Sequence, residues 1–179
     1  VVAGINYGYN YGAAYIGSSG TVGAVLEAGL LGIDGIAFSA GSSQPWPQWR
    51  PWAETADSLP MWTRLAGVAA GIAAIHLAAV PTGLSLNVNL PDTADVETER
   101  RITTVADVGY ERLFQAEGHG VFNHAYRGEL IPRGPLTGTD LEAAAAGVIS
   151  ISAVRGTRTV EFPSTLRPLF EQNGDPEPS

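Results

Sequence analysis

The chain has no cysteine. That excludes disulfides, thiolate catalysis and cysteine-ligated zinc, and it leaves the redox compartment open. Charge is sparse, at 16% of 179 residues, and basic charge is the sparser sign, with 10 Lys and Arg against 18 Asp and Glu for a net of −8. An acidic surface repels nucleic-acid backbones, so a duplex is not an expected partner. It also repels phosphorylated small molecules. An enzyme acting on phosphate would need a local cation here, either a metal ion or a placed arginine. Three familiar signatures are missing as well: the G-x-G-x-x-G fingerprint, a lysine in a Walker-type loop, and a G-x-S-x-G elbow.

No start Met or basic n-region opens the chain. Val1-Val2 running into Ala3-Gly4-Ile5-Asn6 reads as the end of a buried strand, which predicts further sequence upstream. Met61 to Val80 has the length of a membrane span. Arg64 and His76 interrupt it, however, and Ala and Gly supply much of its apolar character. The expectation is a buried core helix, with His76 a satisfied core residue and no membrane partner.

What is present points to an α/β protein. Apolar residues make up 45% and glycines number 22, a mix that suits strands alternating with tightly packed helices around a sizeable core. Residues 1–17 read as a strand end and a Gly/Asn/Tyr loop. A helix capped by Ser18 or Ser19 runs to about Gly29, and Gly32 to Ser39 forms a turn and a buried strand. This strand–helix–strand unit implies a parallel sheet with a right-handed crossover. A Ser/Pro/Trp loop over 41–53 precedes a long helix from between Thr55 and Ser58 to near Ala79, with Pro60 in its first turn. Leu84 to Leu90 is a strand stopped by Pro91. Beyond Asp92 the chain predicts short strands at 102–105, 109–115 and 121–127, forming a hairpin layer. Thr139-Asp140 caps a helix over 141–146, and 147–154 is a strand. A last helix or turn over 162–170 and a disordered tail over 174–179 complete the expectation. The reading is one domain over 1–173, with 92–135 its variable hairpin region.

Two motifs carry candidate chemistry. Gly4-Ile5-Asn6-Tyr7-Gly8-Tyr9-Asn10-Tyr11-Gly12 places glycines at every fourth position, which suits a loop that brings backbone close to a ligand. Asn6, at a strand's carboxyl end, could offer a neutral amide oxygen to a hard cation. The bland alternative is an Asn/Gly turn with local side-chain bonds. Gly17-Ser18-Ser19-Gly20-Thr21-Val22 opens a helix with small and hydroxyl residues, leaving backbone N–H groups that suit a phosphate. The bland alternative there is ordinary capping by Ser.

Together the motifs resemble the SurE phosphatases. Ala3 to Gly12 is similar to that family's Ser-Gly-Ile-Asn-x-Gly-x-Asn-x-Gly loop. Ser19-Gly20-Thr21-Val22-Gly23-Ala24 resembles its following helix start, and Gly32 to Ser39 its Gly-Ile-x-x-Ile-Ala-x-Ser strand. Leu86 to Pro91 matches its Leu-x-Asn-Val-Asn-hydrophobic-Pro strand. Thr139-Asp140 and Gly147-Val148-Ile149-Ser150-Ile151 match its closing helix and strand. The resemblance covers residues 1 to about 154, and is loose over 99–135.

It implies a three-layer α/β/α fold with a mainly parallel, Rossmann-like sheet and an appended β-hairpin region. It also implies a cytoplasmic hydrolase that removes phosphate from nucleoside 5′- or 3′-monophosphates with Mg²⁺ or Mn²⁺. Asn6 would be a metal ligand. Ser19, Gly20 and Thr21 would hold the phosphate, and Asn10 would shape the loop or touch substrate. A homodimer or homotetramer through residues near 100–135 and 155–172 is implied too. One departure matters: the family's paired aspartates, which help bind the metal, have no counterpart, because no Asp-Asp pair occurs in this chain. A non-catalytic SurE-like scaffold therefore stands as the alternative.

Two further features fall outside the resemblance. Trp46, Trp49 and Trp52 recur every three residues, so in polyproline II they would line one face. They could stack on a nucleobase with Arg50 near its phosphate, or cover the core. Glu117, His119 and His124 hint at a metal cluster, but their Gly neighbours suggest a hairpin turn.

Overall fold

The computed structural model describes residues 1–78, 83–125 and 130–156. In chain order they form β1 (Val2–Tyr7), α1 (Gly12–Ser18), α2 (Gly20–Leu30), β2 (Gly35–Gly41), α3 (Trp46–Ala53) and, after a 3₁₀ turn at Ala56–Ser58, α4 (Leu59–Ala78). Then come β3 (Ser85–Pro91), β4 (Arg100–Thr103), β5 (Val108–Tyr110), β6 (Phe114–Gly118), β7 (Val121–His124), β8 (Leu130–Pro132), α5 (Asp140–Ala145) and β9 (Ile149–Val154). The expected elements at 162–170 and 174–179 lie outside the described residues.

The main sheet has the order β1-β2-β3-β9-β4. Its β1–β2, β2–β3 and β4–β9 pairs are parallel, and β3–β9 is antiparallel. Alternation along each strand sorts the two faces. Ile36, Phe38 and Ala40 of β2, Val88 and Leu90 of β3, and Ile149 of β9 point to one side. There they pack on Trp49 and Ala53 of α3 and on Met61, Leu65, Val68, Ala69 and Ile72 of α4. Val22 and Val25 of α2 cover the other face around Ala37. Helices on both faces of a mainly parallel sheet make three layers, as expected.

The helical segment Ala56–Ala78 is long and apolar enough to cross a bilayer. In this fold its inward stripe forms the largest part of one core layer. One expectation for it fails: the Nε2 of His76 is buried with no hydrogen-bond partner among the described residues.

Two segments read as loops are helical. α1 lies within the Gly/Tyr/Asn stretch, and α3 lies within the Ser/Pro/Trp stretch. The polyproline reading of the tryptophans is thereby overturned. Pro47 sits at the helix start, where no N–H is needed, and the helix forms despite Pro51 inside it. Burial of Trp49, 1% exposed, anchors the helix on the core.

Candidate active site at the carboxyl ends of the parallel strands

β1, β2 and β3 run parallel, so Tyr7, Gly41 and Pro91 end on the same edge of the sheet. This is where open α/β sheets place ligands. The loops leaving β1 and β2 enclose a cleft of about 750 Å³ there. Residues 6–11 and Tyr15 form one wall, Gly41, Ser42 and Gln44 to Pro47 with Trp49 the other, and His124 of β7 closes in from the hairpin.

Asn6 stands at this edge. Its Nδ2 donates to the carbonyls of Tyr7 and Gly8, both at 3.0 Å. These bonds occupy the donor end and leave Oδ1 as the acceptor end of a fixed side chain. Gly4, upstream, has φ +110°, and a Cβ there would collide with the carbonyl oxygen of Phe38. Only glycine lets β1 approach β2 so closely at this point.

Asn10 is a buried hub. Its N–H donates to Asn89 Oδ1 at 2.8 Å, and its Nδ2 donates to Ser39 Oγ at 2.7 Å. Its carbonyl accepts from Asn87 Nδ2 at 2.7 Å. Ser39, Asn87 and Asn89 are each no more than 1% exposed. A buried amide costs stability unless bonded, and here the loop bonds Ser39, Asn89 and Asn87 Nδ2 on the polar face of β2 and β3, leaving Asn87 Oδ1 buried without a partner among the described residues. Asn10 therefore shapes the loop.

The two aromatic walls are seated on each other's glycines. Trp46, from the β2 side, lies over Gly8, whose added Cβ would stand 2.9 Å from its ring. Tyr9, from the β1 side, lies over Gly41, where any Cβ would strike its ring. Tyr9, Tyr11 and Tyr15 then form a chain of ring contacts with centroids 5.1 and 5.6 Å apart. Burial, then the charge of Asp92, then Tyr11 hold the Tyr9 phenol well above its ordinary range. Burial, followed by Tyr15 and Asp140, pushes Tyr11 up to about 12. Both are neutral hydroxyls at physiological pH.

The chain matches the family model described as survival protein SurE over residues 1–112. It belongs to the SurE family. The 5′-nucleotidase SurE of Rubrobacter xylanophilus is 32% identical over 168 residues, covering 86% of this chain and 57% of the relative. The 5′-nucleotidase SurE of Rhodopseudomonas palustris is 30% identical, covering 93% of this chain and 64% of that one. The crystal structure of the SurE protein from Aquifex aeolicus superposes with a TM-score of 0.59 at 26% identity, over 87% of this chain and 58% of that chain. The chain thus spans less than two thirds of the length of each of these SurE proteins.

Against this SurE background, the proposed site residues do not all converge. Asn6 and Asn10 line or support the cleft, whereas the cleft lining does not include Ser19, Gly20 or Thr21. Ser19 caps α2 by accepting from Val22 N–H at 3.1 Å. His124 reaches the cleft, but His119 sits in the β6–β7 turn with φ 50°. No group of three His, Cys, Asp or Glu able to hold a metal occurs among the described residues. Asn6 is the one expected ligand among them, no carboxylate lines the cleft beside it, and the described residues do not by themselves fit a divalent ion, whose sites normally include carboxylates.

Sequence reasoning missed the seating of Tyr9 and Trp46 and the support from Ser39, Asn87 and Asn89. The alternation Asn87-Val88-Asn89-Leu90 was the available signal. Two amides on the inward side of a buried strand demand polar partners above them.

Proposed function

We propose that the chain forms part of a metal-dependent phosphomonoesterase that releases phosphate from nucleoside 5′- or 3′-monophosphates in the cytoplasm. The observation that supports this most is the fixed Asn6 amide at the cleft edge, within a family whose named relatives are 5′-nucleotidases. Asn6 Oδ1 would be a neutral ligand to Mg²⁺ or Mn²⁺. Ser19, Gly20 and Thr21 would meet the phosphate. Helix geometry leaves the first N–H groups of α2 without intrahelical partners, and the dipole there favours negative charge.

A second reading is favoured by the ligand set itself. A cleft lined by amides and hydroxyls without a carboxylate among the described residues suits a SurE-like scaffold that binds a nucleotide without hydrolysing it. Phosphate release from AMP at saturating Mn²⁺, beside AMP binding by calorimetry, separates the two. Turnover supports the enzyme, and binding without turnover supports the scaffold. In an active sample Asn6→Ala should lower kcat on the order of 100-fold or more, the scale for losing one oriented electrostatic group. Its melting temperature should change little. Near-normal turnover in this variant would remove Asn6 from the site.

A further inference from the structure

We propose that Trp46 is the platform on which this cleft holds a nucleobase, making it the residue that selects substrates carrying a flat aromatic ring. This rests on the nucleotide reading above for its substrate class, but its physical basis is separate. Trp46 is fixed from several sides. Its ring lies over Gly8, Trp49 stands 5.8 Å away by centroid, and the Arg50 guanidinium lies 5.6 Å from its ring centre. It is nonetheless 45% exposed and lines the cleft. An exposed indole held this firmly loses little side-chain freedom when a ring stacks on it, which favours binding.

Arg50 supports the ring and is not positioned as a free phosphate ligand. Its Nε bonds Glu54 at 2.9 Å, closing an i,i+4 ion pair on the outer side of α3. The facing wall is tyrosine, and the cleft volume suits a nucleoside. The indole N–H of Trp49, by contrast, is buried in the core and without a partner among the described residues, so it is closed to a base and recognition falls to the exposed Trp46. Stacking is tolerant of base identity because every base has a π-face. Selection at Trp46 is thus for a base over no base, with purines binding tighter than pyrimidines.

Calorimetric titration with adenosine and with ribose 5-phosphate tests this, since adenosine lacks the phosphate and ribose 5-phosphate lacks the base. Adenosine should bind the unmodified chain. Trp46→Ala should weaken it about tenfold or more, the range for removing an aromatic partner of a base. Trp46→Phe, which keeps a ring, should bind within about threefold of the original. Trp52→Ala removes an exposed tryptophan outside the cleft and should change nothing. Ribose 5-phosphate affinity should be the same in all variants. If Trp46→Ala melts prematurely, Trp46→Leu keeps apolar cover over Gly8 without a stacking face and carries the test. Adenosine binding that is absent, or unchanged in a folded Trp46→Ala or Trp46→Leu, overturns the proposal. Failure of phosphate release alone leaves it standing, because adenosine binding involves no hydrolysis.

Discussion

Tyr11 shows how a single side chain couples the cleft to stability. Its phenol is pushed up to about 12 from the ordinary 10.0, burial being the largest cause. The folded state therefore keeps the proton at pH values where the unfolded chain has released it. The resulting stability is fully present below pH 10 and is lost as pH rises through about 12. The loss should be on the order of 2 kcal/mol. Urea midpoints measured at pH 8, 10 and 11.5 should fall across the series, and Tyr11→Phe should lessen that fall, with the part due to the buried Tyr9 phenol remaining. An equally steep fall in Tyr11→Phe would place the effect elsewhere. At this scale the site was partly legible. Asn6 and Asn10 could be singled out as amides beside glycines at a strand's carboxyl end, a pattern that suits a cation site and equally a local turn, and Asn6 does bond its own turn through Nδ2. The seating of Tyr9 on Gly41 and Trp46 on Gly8 joins residues more than thirty positions apart. No local spacing rule reaches that far.

The elements show the same division between local and distant causes. α2, β2, α4, β3, α5 and β9 were legible because each carries its own periodicity and caps, such as Ser19 and Thr139 accepting from the third residue on. α1 was not. Its N-cap Tyr11 makes no side-chain cap bond. Instead the N–H of Gly12 donates to Asp140 Oδ2 at 2.9 Å, from the start of α5, 128 positions away. The other oxygen, Oδ1, accepts from Ala106 N–H, also at 2.9 Å. Burial raises the Asp140 pKa, while these two bonds oppose that rise. One carboxylate thus ties α1, the loop between β4 and β5, and α5 together. Asp140→Ala would strand two buried N–H groups, at about 1–3 kcal/mol each. A combined loss of about 2–6 kcal/mol is expected in chemical denaturation, with Asp140→Asn intermediate because one acceptor oxygen survives. Loss of amide-exchange protection confined to residues 12–18 and 104–106 would confirm the connection. A loss under 1 kcal/mol would show that water replaces the carboxylate.

For the whole molecule, the β6–β7 hairpin raises the question of assembly. Every residue of both strands is exposed, including Phe114 at 59%, Val121 at 51% and Phe122 at 66%. An isolated two-stranded hairpin is marginal in water, and clustered exposed aromatics mark interaction surfaces. A second copy of this chain is the proposed occupant, giving a homodimer or homotetramer. Of the other segment expected to take part, 155–172, residues 157–172 lie outside the described residues. The net charge of −8 opposes self-association, and salt screens that repulsion over about 8–10 Å at 0.10–0.15 M. Apolar contact gains nothing from low salt, so the two contributions can be separated. Light scattering should show a larger average mass at 0.5 M NaCl than at 0.02 M. Phe122→Asp adds charge to the patch and should give a folded monomer at both salt concentrations, because the side chain is not part of the core. A monomer at high concentration and high salt in the unmodified chain would remove the hairpin as an interface. A dimer that survives Phe122→Asp would place the contact on another surface.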